Sequence, residues 1–268
     1  MATTTAPVPA AQAPGPPTLT RQGHRATLML NRPEQHNRLQ VDDLLVLQQH
    51  FAALLADTGL QLLVLAARGK SFCSGFDLGA LAAGTGQPGS AGPRLFEQTV
   101  DMLEALPMAT MCRMQGSVYG GATDLALACD WRVGVHGMLL RMPAVRLGLH
   151  YYPSGLRRFV SRLGLATAKR LFLLAEDLHG DQLLALGYLD RLVAADALDA
   201  EVDQIASALD AAAPLALRGM KASLNEIARG DADLASLRQR EALCAASQDL
   251  AEGQAALAAR RKPVFKGR

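Results

Sequence analysis

Apolar residues show two different spacings along the first half of the chain. The run LQLLVLAA at 60–67 is continuously apolar, which is typical of a strand buried on both faces. The segment at 40–57 instead spaces its apolar residues three and four apart, which predicts a helix with one buried face. Further strands are predicted at 26–33 and 108–118. Because strands alternate with helices, the pattern favours an α/β fold.

The pattern changes from about residue 161, where long helical segments dominate. They are predicted at 161–176, 196–213, 214–230 and 234–261. The last two carry apolar stripes that a lone helical hairpin could not bury completely, so either the same chain or a second copy covers them. The segment 79–93, rich in Gly, Ala, Ser and Pro, is predicted to be a mobile loop.

The amino-acid composition limits the kinds of protein that this chain can be. Residues 1–17 are almost entirely Ala, Pro and Thr, which predicts a disordered tail. The 268 residues are 50% hydrophobic, enough for one sizeable core, and the net charge of +2 offers no basic field for nucleic acid. No apolar run is long enough to span a membrane and no signal peptide is recognised. We therefore expect a soluble, cytoplasmic protein that binds neither nucleic acid nor a membrane.

The four cysteines are widely spaced and form no CxxC or Cys/His pattern. They are Cys73, Cys112, Cys129 and Cys244. We interpret them as small buried residues rather than zinc ligands or disulfide partners. No metal motif is recognised elsewhere.

Two glycine loops follow apolar runs and suggest chemistry. They are GKSFCSGFD at 69–77 and GSVYGGATD at 116–124, and the second opens an apolar helix. The first N–H groups of a helix lack partners within it, and glycine lets a ligand approach the backbone closely. Two such loops could hold the N–H donors of an oxyanion hole. Glycine pairs after strands are also ordinary turns, so both readings stay open.

Asp124 lies in the first turn of that apolar helix, three residues after Gly121 and on nearly the same face. An acidic residue at a helix start can serve the helix dipole alone. Alternatively, a partly buried carboxylate beside a thioester carbonyl would have a raised pKa and could move protons.

In combination, these loops and two further stretches resemble the crotonase superfamily, the enoyl-CoA hydratase/isomerase group. The resemblance rests on LNRPEQHNRL at 30–39, GKSFCSGFDL at 69–78, GSVYGGATDLALACDWRV at 116–133 and RRKPVFKGR at 260–268. It implies a spiral of ββα units at 18–205 and a helical C-terminal region at 206–268 that assembles a homotrimer or a dimer of trimers.

The resemblance also implies site residues. The N–H groups of Phe76 and Gly121 would polarise an acyl-CoA thioester carbonyl, Asp124 would transfer a proton, and coenzyme A would enter only as part of the substrate. The implied coenzyme A contacts are Gln35, His36, Arg38, Ser74, Phe76, Asp77, Leu78, Lys262 and Phe265.

Two departures from the hydratase pattern bear on the reaction. Hydratases carry two glutamates; here the first position is Asp124 and the second is Ala144. Loss of a general acid or base costs about 10²–10⁴-fold, which argues against efficient standard hydration. In addition, His150, Tyr151 and Tyr152 replace small residues, either to shape the pocket or to act in catalysis. A tyrosine matching Tyr151 occurs in methylmalonyl-CoA decarboxylase, whose first-loop histidine is Phe76 here.

The leading hypothesis is therefore an acyl-CoA enzyme of the hydratase/isomerase type that stabilises a thioester enolate. A decarboxylase of methylmalonyl-CoA type is the alternative reaction. An acyl-CoA-binding relative with little activity, or a purely structural oligomer, would be a different class of protein.

Overall fold

The computed structural model describes residues 13–77, 79 and 91–268. The described strands, numbered in chain order, form a six-stranded sheet in the order β1-β2-β3-β4-β6-β9 and a three-stranded sheet in the order β5-β7-β8. All neighbours in the larger sheet are parallel except the antiparallel pair β1 and β2. The strands are β1 Thr18–Gln22, β2 Arg25–Leu30, β3 Leu62–Ala67, β4 Ala109–Met114, β5 Val118–Tyr119, β6 Trp131–Val135, β7 Leu139–Arg141, β8 Leu178–His179 and β9 Arg191–Val193.

Helices connect the strands and then form the C-terminal third of the chain. The helices of the described residues are α1 Val41–Ala56, α2 Ala91–Glu104, α3 Gly121–Leu127, α4 Pro153–Leu173, α5 Gly180–Ala185, α6 Leu198–Asp210, α7 Pro214–Arg229, α8 Leu234–Ala245 and α9 Gln248–Ala258. Short 3-10 turns occur at Pro33–Gln35, Ala144–Leu147 and Ala195–Ala197.

The core lies between the sheet and the helices that connect its strands. Every residue of β3 is buried, as its continuous apolar run predicts. Helix α1 buries Leu44, Leu47, Phe51 and Leu54, the apolar stripe read from its sequence. The predicted alternation of strands and helices, and hence the α/β fold, is confirmed.

Three helix boundaries differ from the sequence prediction. The single helix expected at 234–261 is two helices, because Ser247 caps a new helix by accepting a hydrogen bond from Leu250 N–H. Helix α4 begins at Pro153, well before residue 161, and is kinked at Gly164, where φ is +79°. The segment 79–93 was predicted to be a loop, but α2 already begins at Ala91. Residues 78 and 80–90 lie outside the described part of the chain.

The described end of the predicted tail, 13–17, lies against the end of β2. Gly15 N–H donates to the Asn31 carbonyl at 2.8 Å, and the Asn31 side-chain amide donates to the Ala13 carbonyl at 2.8 Å. The rest of that tail, residues 1–12, is outside the described residues. Among the residues described, no helix is both long and apolar enough to cross a membrane, and no group of His, Cys, Asp or Glu is arranged to hold a metal ion.

The C-terminal helices leave apolar side chains in contact with solvent. In α7, Met220, Leu224 and Ile227 are each more than half exposed. The same helix is anchored to the sheet by Lys221, whose ammonium group lies 2.8 Å from Asp130 Oδ2. This exposed apolar face supports the expectation of self-association, which stays a prediction.

Candidate active site

The two glycine loops predicted from the sequence meet in the structure. Tyr119 N–H donates to the Cys73 carbonyl at 3.0 Å, which ties the second loop to the first. At Gly75, φ is +93°, and a Cβ would lie 2.8 Å from the Tyr119 carbonyl oxygen and 3.2 Å from Gly121 N. Only glycine permits both this conformation and this approach.

The N–H groups of Phe76 and Gly121 are oriented by the local structure. Leu39 forms a parallel bridge with Phe76, since Leu39 N–H donates to the Gly75 carbonyl and Asp77 N–H donates to the Leu39 carbonyl, both at 2.9 Å. In such a bridge the N–H of Phe76 points away from Leu39. Gly121 is the first residue of α3, so its N–H lacks an acceptor within the helix. Both donors belong to loops that line one cavity.

That cavity has a volume of about 200 Å³ and lies between the glycine loops and the segment 142–152. Its walls are mainly apolar and aromatic. The Phe96 ring lies 5.7 Å from that of Phe76 and 6.0 Å from that of Tyr152, measured between centroids. The cavity is lined by Ser74, Gly75, Phe76, Pro93, Phe96, Tyr119, Gly120, Gly121, Met142, Pro143, Ala144, Leu147, Leu149, His150, Tyr151 and Tyr152.

No carboxylate side chain is among the described residues that line the cavity. Ala144 occupies the wall where the resemblance would place the second glutamate of a hydratase. Asp124 is fully buried behind the wall, and its carboxylate accepts a hydrogen bond from Tyr152, which lines the cavity. The structure therefore brings the predicted residues Phe76, Gly121 and Tyr151 together, with Asp124 one hydrogen bond further away.

Asp124 is held by two strong donors on the same oxygen. Its Oδ2 accepts from the Tyr152 hydroxyl at 2.5 Å and from Arg158 Nη1 at 2.6 Å. Among the described residues, Oδ1 has no hydrogen-bond partner. The Tyr151 hydroxyl in turn donates to the Tyr152 hydroxyl at 3.2 Å. A continuous chain of hydrogen bonds thus runs from the cavity wall to a buried ion pair.

Burial and pairing act on this carboxylate in opposite directions. Burial raises the pKa of Asp124 above its ordinary value, and Arg158 and the Tyr152 hydroxyl offset that rise only in part. Burial also raises the pKa of Tyr151 and Tyr152 well above that of a free tyrosine, and the Asp124 charge adds to the rise in both. The tyrosines are therefore neutral hydroxyl donors, while burial makes Asp124 easier to protonate than an exposed aspartate.

Arg158 is the residue of the site that sequence reasoning missed. Its buried guanidinium donates to Asp124 and also to Glu104 at 2.9 Å and to Asp101 at 2.7 Å. Nothing in the sequence distinguished it from its neighbour Arg157, because only the helix axis decides which of two adjacent arginines faces inward. The three carboxylates offset part of the free-energy cost of removing the Arg158 guanidinium from water. They can do so because α2 and α3, which carry the acids, both pack against α4.

Two acids of α2, Asp101 and Glu97, are hydrogen-bonded to residues of α4. Asp101 pairs with Arg158, and the Glu97 carboxylate accepts from the Ser154 hydroxyl at 3.0 Å. Both belong to the contact between α2 and the start of α4. Both acids therefore connect α2 to α4 behind the cavity wall, although the Asp101 side chain is still 41% exposed.

Gly155 makes room for the tyrosine pair and the carboxylate. A Cβ at this position would lie 2.5 Å from Tyr151 Cε1, 2.7 Å from Tyr152 Cε2 and 2.8 Å from Asp124 Oδ2. The two rings stack at 4.2 Å between centroids. The absence of a side chain here lets the first turn of α4 lie directly on the hydrogen-bonded chain.

The residues predicted to contact coenzyme A near the first loop do cluster. The Arg38 guanidinium lies 3.3 Å from Asp77 Oδ2, and Ser74 N–H donates to the His36 carbonyl at 2.9 Å. The Ser74 hydroxyl lies 3.5 Å from the Gln35 carbonyl oxygen. These contacts join the 33–38 turn to the cavity rim. Their role toward coenzyme A stays a prediction.

The C-terminal residues of that prediction lie elsewhere in the same chain. Phe265 rests on α9, where a Cβ on Gly253 would be 3.6 Å from its ring. The neighbouring Lys262 lies in the same terminal segment, and neither residue lines the cavity. Leu78 falls outside the described residues.

Comparison with known proteins gives the family. The family model described as enoyl-CoA hydratase/isomerase matches residues 21–268. The chain belongs to the enoyl-CoA hydratase/isomerase family. A crotonyl-CoA hydratase from Syntrophomonas wolfei is 30% identical over 254 residues, covering 92% of this chain and 96% of that protein. A 2,3-dehydroadipyl-CoA hydratase from Escherichia coli is 29% identical, covering 93% and 98%.

Solved structures agree with the fold. The crystal structure of an enoyl-CoA hydratase/carnithine racemase from Magnetospirillum magneticum superimposes with a TM-score of 0.88 at 28% identity, covering 96% of this chain and 98% of that one. The predicted membership of the crotonase superfamily and its fold are thus confirmed.

Proposed function

We propose that this protein is an acyl-CoA enzyme that stabilises a thioester enolate between the N–H groups of Phe76 and Gly121. The observation that carries the proposal is the meeting of the two glycine loops at Gly75, beside a cavity that both loops line. Two N–H donors aimed at one oxygen stabilise the charge that develops there, and removing one such donor costs about 10²–10³-fold in kcat. Coenzyme A is part of the substrate, and no other cofactor is required.

Within the family, hydration or double-bond isomerisation of an enoyl-CoA is the leading reaction. Relatives named as crotonyl-CoA and 2,3-dehydroadipyl-CoA hydratases support this choice. Isomerisation needs one group that carries a proton between two carbons, a role for which Asp124 is the candidate carboxylate and Tyr151 the hydroxyl suggested by resemblance. Hydration needs an activated water as well, and Ala144 supplies no base for it.

Decarboxylation of a malonyl-type CoA is the second candidate. It is favoured by the cavity wall, whose described residues include no carboxylate side chain. In this reaction the bond to the carboxylate carbon breaks, carbon dioxide leaves, and the electron pair becomes the enolate that the two N–H groups stabilise. The α-carbon then takes a proton. No water has to be activated.

A substrate panel decides between these reactions. Purified protein would be incubated with crotonyl-CoA, a 3-enoyl-CoA and methylmalonyl-CoA, and the products separated by liquid chromatography with mass detection. Thioester binding would be measured in parallel by calorimetry. We expect turnover of at least one substrate. Binding of all three without turnover would overturn the enzymatic proposal in favour of an acyl-CoA-binding role, and absence of binding would overturn both.

A further inference from the structure

The hydrogen bonds behind the cavity wall favour a different tyrosine from the one that the family resemblance indicates. Of the two adjacent tyrosines, the resemblance points to Tyr151. In the structure, however, it is the Tyr152 hydroxyl that donates to Asp124 Oδ2, at 2.5 Å, whereas Tyr151 reaches only the hydroxyl of Tyr152. Tyr151 is buried, with its ring 5.1 Å from the core residue Phe172.

Tyr152 is also the better placed residue relative to the glycine loops. Both tyrosines line the cavity, and Tyr152 is the more exposed of the two. Its ring contacts that of Phe96, which lies directly on Gly121, where a Cβ would come within 2.7 Å of Phe96 Cζ. Asp124, by contrast, is fully buried and does not line the cavity. A proton that moves between substrate and Asp124 therefore has to pass through a hydroxyl.

We propose that Tyr152 is the catalytic residue that exchanges a proton with the acyl group, and that it relays this proton to and from the buried Asp124 carboxylate. The inference rests on the proposed enolate chemistry and specifies how its proton moves.

The relay balances without a tyrosinate. When a substrate C–H bond breaks, its proton forms an O–H bond on the Tyr152 oxygen, while the original hydroxyl proton passes to Asp124 Oδ2; the electron pair of the C–H bond remains on the enolate. The reverse sequence protonates the enolate. Asp124 is neutral after the substrate has lost its proton and ionised after the enolate has been protonated. A carboxyl whose pKa is raised by burial is suited to this exchange.

Arg158 supports the relay by its position. With Nη1 2.6 Å from Oδ2, it fixes the carboxylate against Tyr152 and stabilises the ionised form. Its other nitrogens are held by Glu104 and Asp101 on α2. The guanidinium therefore cannot turn away when the charge on Asp124 is neutralised.

A set of conservative variants tests the relay. Tyr152→Phe and Asp124→Asn each remove one proton-transfer step and are expected to lower kcat by about 10²-fold or more with KM nearly unchanged. The double variant is expected to lose no more than either single one, because residues that act as a unit are not additive. Tyr151→Phe is expected to lose less than Tyr152→Phe. The assays are the substrate panel and deuterium uptake from D₂O at the α-carbon of butyryl-CoA.

Tyr188→Phe is the matched control. Tyr188 is buried, its hydroxyl donates to the Thr123 carbonyl of α3 at 2.8 Å, and it does not line the cavity. Losing that hydroxyl is expected to lower stability and leave kcat unchanged, so it separates a disturbed α3 from a broken relay.

The outcomes separate this inference from the proposed function. A wild-type protein that neither converts a panel substrate nor exchanges α-protons would overturn the proposed function, and the relay with it. An active wild type whose Tyr152→Phe variant keeps its kcat, or whose Tyr151→Phe variant loses as much, would overturn the relay alone. Additive losses in the double variant would do the same. Equal losses in the single and double variants, with Tyr188→Phe active, would support it.

Discussion

Replacing Gly75 with alanine tests the convergence of the two loops directly. At φ of +93°, an alanine carries backbone strain of about 1–3 kcal/mol. Its Cβ would also lie 2.8 Å from the Tyr119 carbonyl oxygen and 3.2 Å from Gly121 N. Both neighbours are backbone atoms that cannot rotate aside, so the loops must separate by several tenths of an ångström.

That separation would move one N–H donor relative to the other. Since loss of one oxyanion donor costs about 10²–10³-fold in kcat, we expect Gly75→Ala to lose activity in that range. The strain itself would lower the melting temperature by about 2–4 °C for each kcal/mol in a chain of this size. Activity would be followed with whichever panel substrate the wild type converts, and unfolding by circular dichroism.

Gly137→Ala is the control for strain alone. Gly137 has φ of +80° in the turn between β6 and β7, and a Cβ there meets nothing within 4 Å. It should show a comparable loss of stability with wild-type kcat. If Gly75→Ala kept its kcat to within about threefold while Gly137→Ala behaved as expected, the reasoning that both loops hold one oxygen would be refuted.

Three further predictions concern stability and pH. Arg158→Gln should destabilise the fold by about 3–5 kcal/mol because it leaves the buried Asp124 carboxylate without its cationic partner. Arg157→Gln, at an exposed position, should change the unfolding free energy in urea by less than about 0.5 kcal/mol. The pKa of Glu252 is lowered to about 2, chiefly by the Arg261 guanidinium; because the folded state favours the ionised form, the stabilisation is complete above pH 4.5 and is lost as pH falls toward 2. The stability difference between wild type and Glu252→Gln should therefore shrink across that window, and a constant difference would contradict the assignment. Ser247→Ala should cost about 1 kcal/mol through loss of the α9 cap, with Ser247→Thr retaining most of it in the same denaturation assay.

The sequence predicted the elements whose signal is local. The continuous apolar run of β3 and the helical spacing in α1 each require only the neighbouring residues, and both elements appear within two residues of their expected bounds. Short elements such as β8 and α5 carry too few residues for a periodic pattern and were not predicted. The break at Ser247 was also missed, because alanine-rich sequence on both sides continues the helical pattern through it.

Some features of the candidate site could likewise be predicted from the sequence, and others could not. The sequence alone shows the glycine loops after strands, the acid in an apolar helix and the absence of a second glutamate at Ala144. Together with the matching stretches, these features indicate the family. The sequence does not show which of the side chains of the site are in contact. The residues that meet here, 97–104, 124 and 152–158, lie far apart along the chain.

What the sequence determined by itself, then, is the alternating α/β order and the presence of two backbone-rich loops, since strand burial, helix periodicity and glycine are local properties. Only the tertiary structure decided that Asp124 faces Arg158 and Tyr152 rather than the cavity. That choice depends on how α2, α3 and α4 pack, because a guanidinium and a carboxylate are buried only when the helices that carry them bring them into contact.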